Sequence, residues 1–150
     1  MNKVLWTSLA MLLAMACSPK LSTYSPQISS SPGPEETTLF VQASGLATEE
    51  KAAYDNAVYN ALSTLVYQGI PGSVQSRPMI PPGDAARVKT KVDNCLHDNN
   101  CCRNFIMQDS HVGGTVKVKG GYTATTNIKV NLLSLRTWLE QNNIIRKFGL

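Results

Sequence analysis

Cysteine and histidine are the residues in this chain best suited to covalent or metal chemistry. They cluster in one stretch, Cys95, His97, Cys101 and Cys102, with His111 nine residues on and Cys17 far upstream. Three chemistries follow from these types: a disulfide, a thiolate nucleophile with an imidazole base, or a metal held by thiolates and imidazoles. The spacing C-x-H-x3-C-C matches no common zinc module, and C-x-x-C, G-x-S-x-G and H-E-x-x-H are all missing from the sequence. A disulfide from Cys95 to Cys101 or Cys102 is therefore the expected chemistry, with the remaining thiol packed as a small hydrophobe. No cofactor and no metal are expected, and no catalytic residue is assigned.

Cys17 belongs to a different pattern. Lys3 is followed by the apolar run Val4 to Met15, then by small Ala16 and Cys17, the layout of an export leader cut before a cysteine. The run is shorter than the ~20 residues needed to cross a bilayer. The segment Leu13-Ala14-Met15-Ala16-Cys17 resembles the bacterial lipobox, departing from it in Ala14, where Leu is usual, and in the large Met15. That resemblance implies a signal peptide over 1–16 and acylation of Cys17, with several acyl chains, palmitate among them, anchoring the mature chain to a membrane. Each buried methylene adds ~0.8 kcal/mol, so several acyl chains hold a protein to a membrane lastingly. Export also places the cysteines where disulfides persist.

The elements that must position these residues can be read in order. Residues 17–36 are rich in Ser and Pro and lack helical or strand period, which predicts a disordered tether. Residues 37–150 are long enough for one compact domain. Thr37 to Gly45 reads as a strand with Leu39, Val41 and Ala43 on one face, ending at Gly45. A helix capped by Thr48 follows, with Tyr54, Ala57, Val58, Ala61, Leu62 and Leu65 at helical spacing and a stop at Gly69-Ile70-Pro71. Val74 to Ile80 is an expected edge segment.

Asp84 should cap a second helix whose buried face is Ala85, Val88, Val92, Cys95 and Leu96, broken at Asp98-Asn99-Asn100. The break matters to the thiols. On a continuous helix Cys95 and Cys102 would lie ~10 Å apart along the axis, too far for a disulfide. Cys101 to Ile106 should restart a short helical turn. Thr115 to Asn131 alternates about Gly120-Gly121 and predicts a β-hairpin. Asn131 should cap a last helix with Leu132, Leu135 and Leu139 buried and Trp138 at its margin, and Ile144 to Phe148 could return as an edge strand. The fold class is α+β: an antiparallel sheet with helices on one face, in the order β-α-α-β-β-α.

Charge is mild. After loss of Lys3, thirteen basic residues face ten acidic ones, too slight an excess to argue for nucleic acid. Ten Lys and Arg lie from Arg87 onward against Asp93, Asp98, Asp109 and Glu140, without a basic run, which reads as a solvated surface. Gly45-Leu46-Ala47-Thr48 lacks the glycines of a dinucleotide loop and the Gly-Lys-Ser/Thr of a P-loop.

The opening Phe40-Val41-Gln42-Ala43-Ser44-Gly45 leads into a helix carrying Ala52-Ala53-Tyr54 and Asn60-Ala61-Leu62. It resembles small periplasmic lipoprotein domains, including the amino-terminal domain type of the flagellar T-ring assembly protein. Val130 to Gly149 looks like the ending of small envelope lipoproteins of the Bacteroidota. Neither resemblance implies catalytic residues. In that phylum surface export usually goes with acidic residues after the lipidated Cys, and Ser18-Pro19-Lys20-Leu21 implies retention facing the periplasm at the outer membrane. The functional expectation is a non-enzymatic binding or assembly module for an envelope protein or cell-wall polymer, using its sheet face or basic second half. The alternative is a thiol- or metal-dependent enzyme built on Cys95 to His111.

Overall fold

The computed structural model describes residues 27–33 and 37–147. The leader, Cys17 and most of the proposed tether lie outside the described residues, as does Phe148. Among the described residues the elements run β1 (Ile28–Pro32), β2 (Thr38–Ala47), α1 (Glu50–Tyr67), α2 (Pro82–His97), α3 (Asn99–Cys102), a 3-10 turn (Arg103–Phe105), β3 (Ile106–His111), β4 (Val116–Val118), β5 (Gly121–Asn131) and α4 (Leu132–Gln141). The sheet is antiparallel, with strand order β1-β2-β5-β3 and β4 also pairing β5. The expected α+β class holds.

Strands β2 and β5 form the spine, paired over ten residues from Thr38↔Asn131 to Ala47↔Tyr122. Their side chains alternate between two faces. Leu39, Val41 and Ala43 point inward with Ile128, Val130 and Ala124, all buried. Residues of α1, α2, α4 and the 3-10 turn, among them Leu62, Leu65, Val92, Phe105, Leu135 and Leu139, complete one core.

The first strand runs past Gly45 to Ala47 rather than stopping there. Gly45 is where α1 crosses the sheet: a Cβ at that position would lie 2.3 Å from the Ala53 carbonyl oxygen and 2.3 Å from the Ala57 nitrogen. Helix and strand touch backbone to backbone, which is why the buried face of α1 begins with Ala53, Ala57 and Ala61 before widening to Leu62, Leu65 and Val66. Tyr54 and Val58, expected in that face, are only partly buried at its margin.

Two helix starts differ from expectation. Glu49, not Thr48, occupies the cap position of α1 and makes no side-chain capping bond. Helix α2 begins at Pro82, with Asp84 in its first turn bonded to Arg87 rather than capping. Proline is preset for a first helical turn, where its lack of an N–H costs nothing. The stop signals hold: Gly69 has φ 73°, and Asn143 takes the left-handed conformation at φ 55° in place of a glycine.

Four further expectations are corrected. Ile28–Pro32, read as part of a disordered tether, adds a strand to β2. Its serines supplied no apolar alternation, and the pairing comes from the exposed edge of β2. Val74 to Ile80 forms no strand, although Ile80 is buried and donates its N–H to the Val66 carbonyl. The segment Ile144 to Lys147 is irregular rather than an edge strand, with Ile144 tucked into the core. Where a restarted helix was expected to run to Ile106, the chain turns into β3 instead.

Candidate functional site

The cysteine cluster is settled by the helix break. Asp98 leaves helical geometry at φ -80°, ψ 112°, ending α2, and its carboxylate accepts from the Asn100 N–H at 2.9 Å to start α3. The chain doubles back, and Cys95 and Cys101 are joined by a disulfide across a Cα separation of 5.2 Å. Cys102 stays outside the bridge. Its thiol is buried and donates weakly to the Asn99 carbonyl at 3.8 Å.

The histidines do not join this cluster. His97 stacks on Tyr59 of α1, ring centroids 3.9 Å apart, and His111 lies against Tyr54, centroids 3.8 Å apart. A pocket of about 400 Å³ between α1, α3 and β3 does bring Cys102 near His111, Asp55, Asp109 and Arg103. The thiol's bond there goes to a carbonyl, however. Burial raises its pKa, Arg103 offsets part of this, and Asp55 and Asp98 each add a smaller upward push. A nucleophile needs the opposite shift. Among the described residues no group of three or more His, Cys, Asp or Glu is arranged to hold a metal ion.

A polar cluster at the α1–α2 seam holds the helical layer together. Tyr67 donates its hydroxyl hydrogen to Asp93 Oδ1 at 3.0 Å, and Lys89 Nζ bonds Oδ2 of the same carboxylate. Burial alone would raise the Asp93 pKa, but the bonds from Lys89 and Tyr67 outweigh it and hold the carboxyl below its ordinary value. Tyr67 is pushed up by burial and by its bond to Asp93. This pattern explains structure rather than chemistry, since each group is satisfied by another.

The outer face of the sheet is different in kind. Positions alternate with the buried set: Ser29 and Ser31 on β1, Phe40, Gln42, Ser44 and Leu46 on β2, with Thr123, Thr125, Asn127 and Lys129 facing them from β5. Gln108 and Ser110 of β3 continue the row beside Lys129 and Asn127. Gln42, Asn127, Ser29, Ser31 and Ser110 are exposed. Ser29, Ser31, Phe40, Gln42, Ser110 and Asn127 line a shallow trough of about 320 Å³ across four strands. The Lys129 ammonium lies 5.9 Å from the centre of the Phe40 ring.

Sequence reasoning pointed to the sheet face without naming its residues. Ser29, Ser31, Gln108 and Ser110 were missed because β1 and β3 carry no apolar alternation. Asn56 and Asn60 were missed as well. Their side-chain amides donate to the Leu46 and Ser44 carbonyls, each at 2.9 Å, where β1 no longer runs beside β2. Their i, i+4 spacing on the α1 face was the available signal. Among the described residues no helix is long and apolar enough to cross a membrane.

No family model, no curated protein and no solved structure matches this chain.

Proposed function

We propose that this chain is a lipid-anchored envelope protein, acylated at Cys17, that acts as a non-enzymatic binding or assembly module facing the periplasm at the outer membrane. The observation that carries the binding role is the contrast in cover. Helices seal one side of the sheet, while among the described residues no helix lies over the other, whose trough is lined by neutral hydrogen-bonding side chains beside the Phe40 ring. The partner is an envelope protein or cell-wall polymer. The mild charge argues against nucleic acid, which is gripped through many cations. A thiol enzyme is less favoured, because Cys95 and Cys101 are spent on a disulfide and burial shifts the Cys102 pKa upward, against thiolate formation.

Two measurements test this. Labelled palmitate should enter the wild type and not Cys17→Ser, and the variant should leave the membrane fraction. A photoreactive amino acid at Gln42 should capture an envelope component, whereas the same probe at Lys51, on the exposed side of α1, should not. Palmitate-free protein in the soluble fraction would remove the anchor, and equal capture from both positions would remove the sheet face as the site.

A further inference from the structure

We infer that the trough on the outer face binds a glycan strand of acetamido sugars carrying sparse carboxylates, the chemistry of a bacterial wall backbone. This rests on the envelope reading above and names the ligand of the same face.

Charge narrows the class of ligand. At the outward positions of all five strands, Lys129 is the one ionisable side chain; the rest are Ser, Thr, Gln, Asn, Phe, Leu, Val and Gly. A polyanion would need several cations to displace its counterions. A ligand that is mostly uncharged, with an occasional carboxylate, matches a face with one ammonium.

Hydrogen-bonding chemistry narrows it further. Gln42 and Asn127 are direct cross-strand partners at the floor of the trough. Each side-chain amide offers two N–H donors and a carbonyl acceptor. Such paired amides suit ligands whose groups both donate and accept, as sugar hydroxyls and acetamido groups do. Serine hydroxyls from β1 and β3, at the two sides, extend the same chemistry across the trough. At the ~4.8 Å spacing of strands the floor is roughly 14 Å wide, room for an extended polymer rather than a single small molecule.

Phe40 supplies the apolar element. Its ring lies in the trough beside Gln42, and a pyranose presents a flat C–H face that packs on an aromatic ring. The Lys129 ammonium lies 5.9 Å from the ring centre, and swinging aside for a sugar to pack on Phe40 leaves it within reach of a carboxylate substituent of that sugar. Neutral amides, hydroxyls, one ring and one cation thus meet four complementary features of one polymer.

The test is co-sedimentation of the full-length lipidated protein, held in detergent, with purified protein-free wall sacculi. Wild type should pellet with the sacculi and be competed off by soluble glycan fragments released from them. Chitin-type oligosaccharides, which have the acetamido group without the carboxylate, should compete more weakly. Gln42→Ala with Asn127→Ala should weaken binding about tenfold or more, from the loss of several hydrogen bonds. Lys129→Gln should weaken it about threefold and remove its salt dependence. Lys51→Gln should leave it unchanged, and the urea midpoint of every variant should match the wild type.

Failure to pellet, or pelleting unaffected by the double variant, would overturn the inference. If sacculi are ignored while the Gln42 photoprobe still captures an envelope protein, the glycan falls and the binding module stands. If Cys17 carries no lipid and the chain is absent from the envelope, the earlier reading falls whatever the sacculi retain.

Discussion

On the inner side of β2 and β5, residue size follows the distance to α1: Leu39 and Val130 at one end, then Val41 and Ile128, then Ala43 with Thr126, and Gly45 with Ala124 where the helix comes closest. On the outer side of the same strands, Phe40, Gln42, Ser44 and Leu46 stand opposite Lys129, Asn127, Thr125 and Thr123 with no such gradient. The backbone, pairing and twist are shared, so strand formation cannot account for the difference. Packing constrains the inner set at every position, because protein interiors have no slack for a misplaced methylene. Apart from Ser44, which is buried and accepts from the Gln27 N–H at 3.2 Å, the outer set is free of such packing, which is why its composition carries the functional information.

The sharpest break of this contrast is Gly45→Val. With its Cβ only 2.3 Å from two backbone atoms of α1, valine must push the helix off the sheet. Urea denaturation should show a loss of at least about 3 kcal/mol, or no folded protein at all. Ile128→Ala, at a fully buried inner position one residue from Asn127, should cost about 3 kcal/mol by leaving a cavity. A loss below 1 kcal/mol at Gly45 would mean that α1 does not sit directly on β2.

The inner side was the legible one. Alternation in β2 and β5 and helical spacing in α1, α2 and α4 mark Val41, Leu62, Val92, Ile128 and Leu135 as inward, because burial selects apolar residues at the period of the element. Asn131 as the cap of α4 was equally readable, and its side chain accepts from the Ser134 N–H at 2.9 Å. The break at Asp98 to Asn100 was read, but the choice of Cys101 over Cys102 was not. Adjacent cysteines differ only in the direction each side chain leaves the turn.

The outer trough was illegible for a complementary reason. Ser29, Ser31 and Ser110 sit on edge strands held by backbone pairing to β2 and β5, and no apolar alternation in their own residues marks them as β. The exposed Val116 and Val118 show the opposite error. They alternate with lysines as a hairpin strand should, yet their register opposite Thr123 and Gly121 turns them to the outer face of the sheet, away from the helices.

Removing the disulfide tests how the helical cover is closed at its corner. Cys95→Ala with Cys101→Ala releases a loop of six residues' separation and should cost about 2 kcal/mol. Buried Cys102 should alkylate slowly in the native protein and readily in urea, with the native rate rising in the double variant as α3 loosens. Outer-face crosslinking at Gln42 should persist in that variant. Its loss would show that the corner and the trough are coupled rather than separate.

The seam between α1 and α2 should give a smaller, pH-dependent effect. Because Tyr67 has its pKa raised in the folded state, its contribution is complete below about pH 10 and is lost as the pH climbs through the raised value. Asp93 is depressed, so its contribution is present above about pH 4 and is lost as the pH falls through its folded pKa. Tyr67→Phe should therefore cost about 1 kcal/mol or less at pH 7, water screening part of a half-exposed bond, and should flatten the alkaline decline in stability. An unchanged alkaline limb would remove the Tyr67–Asp93 bond from the account.

The smallest effect is expected on the outer face, and it decides the comparison. Gln42→Ala and Asn127→Ala remove exposed amides that make no intramolecular bond needed by the core, so each should shift stability by no more than about 0.5 kcal/mol. Ile128 and Asn127 are chain neighbours on one strand, and the predicted ratio of their costs exceeds five. If Asn127→Ala were instead as damaging as Ile128→Ala, the outer amides would be structural, and a face kept for folding could not be read as one kept for a ligand. A flat stability profile beside altered capture from the same positions is the result that separates the two.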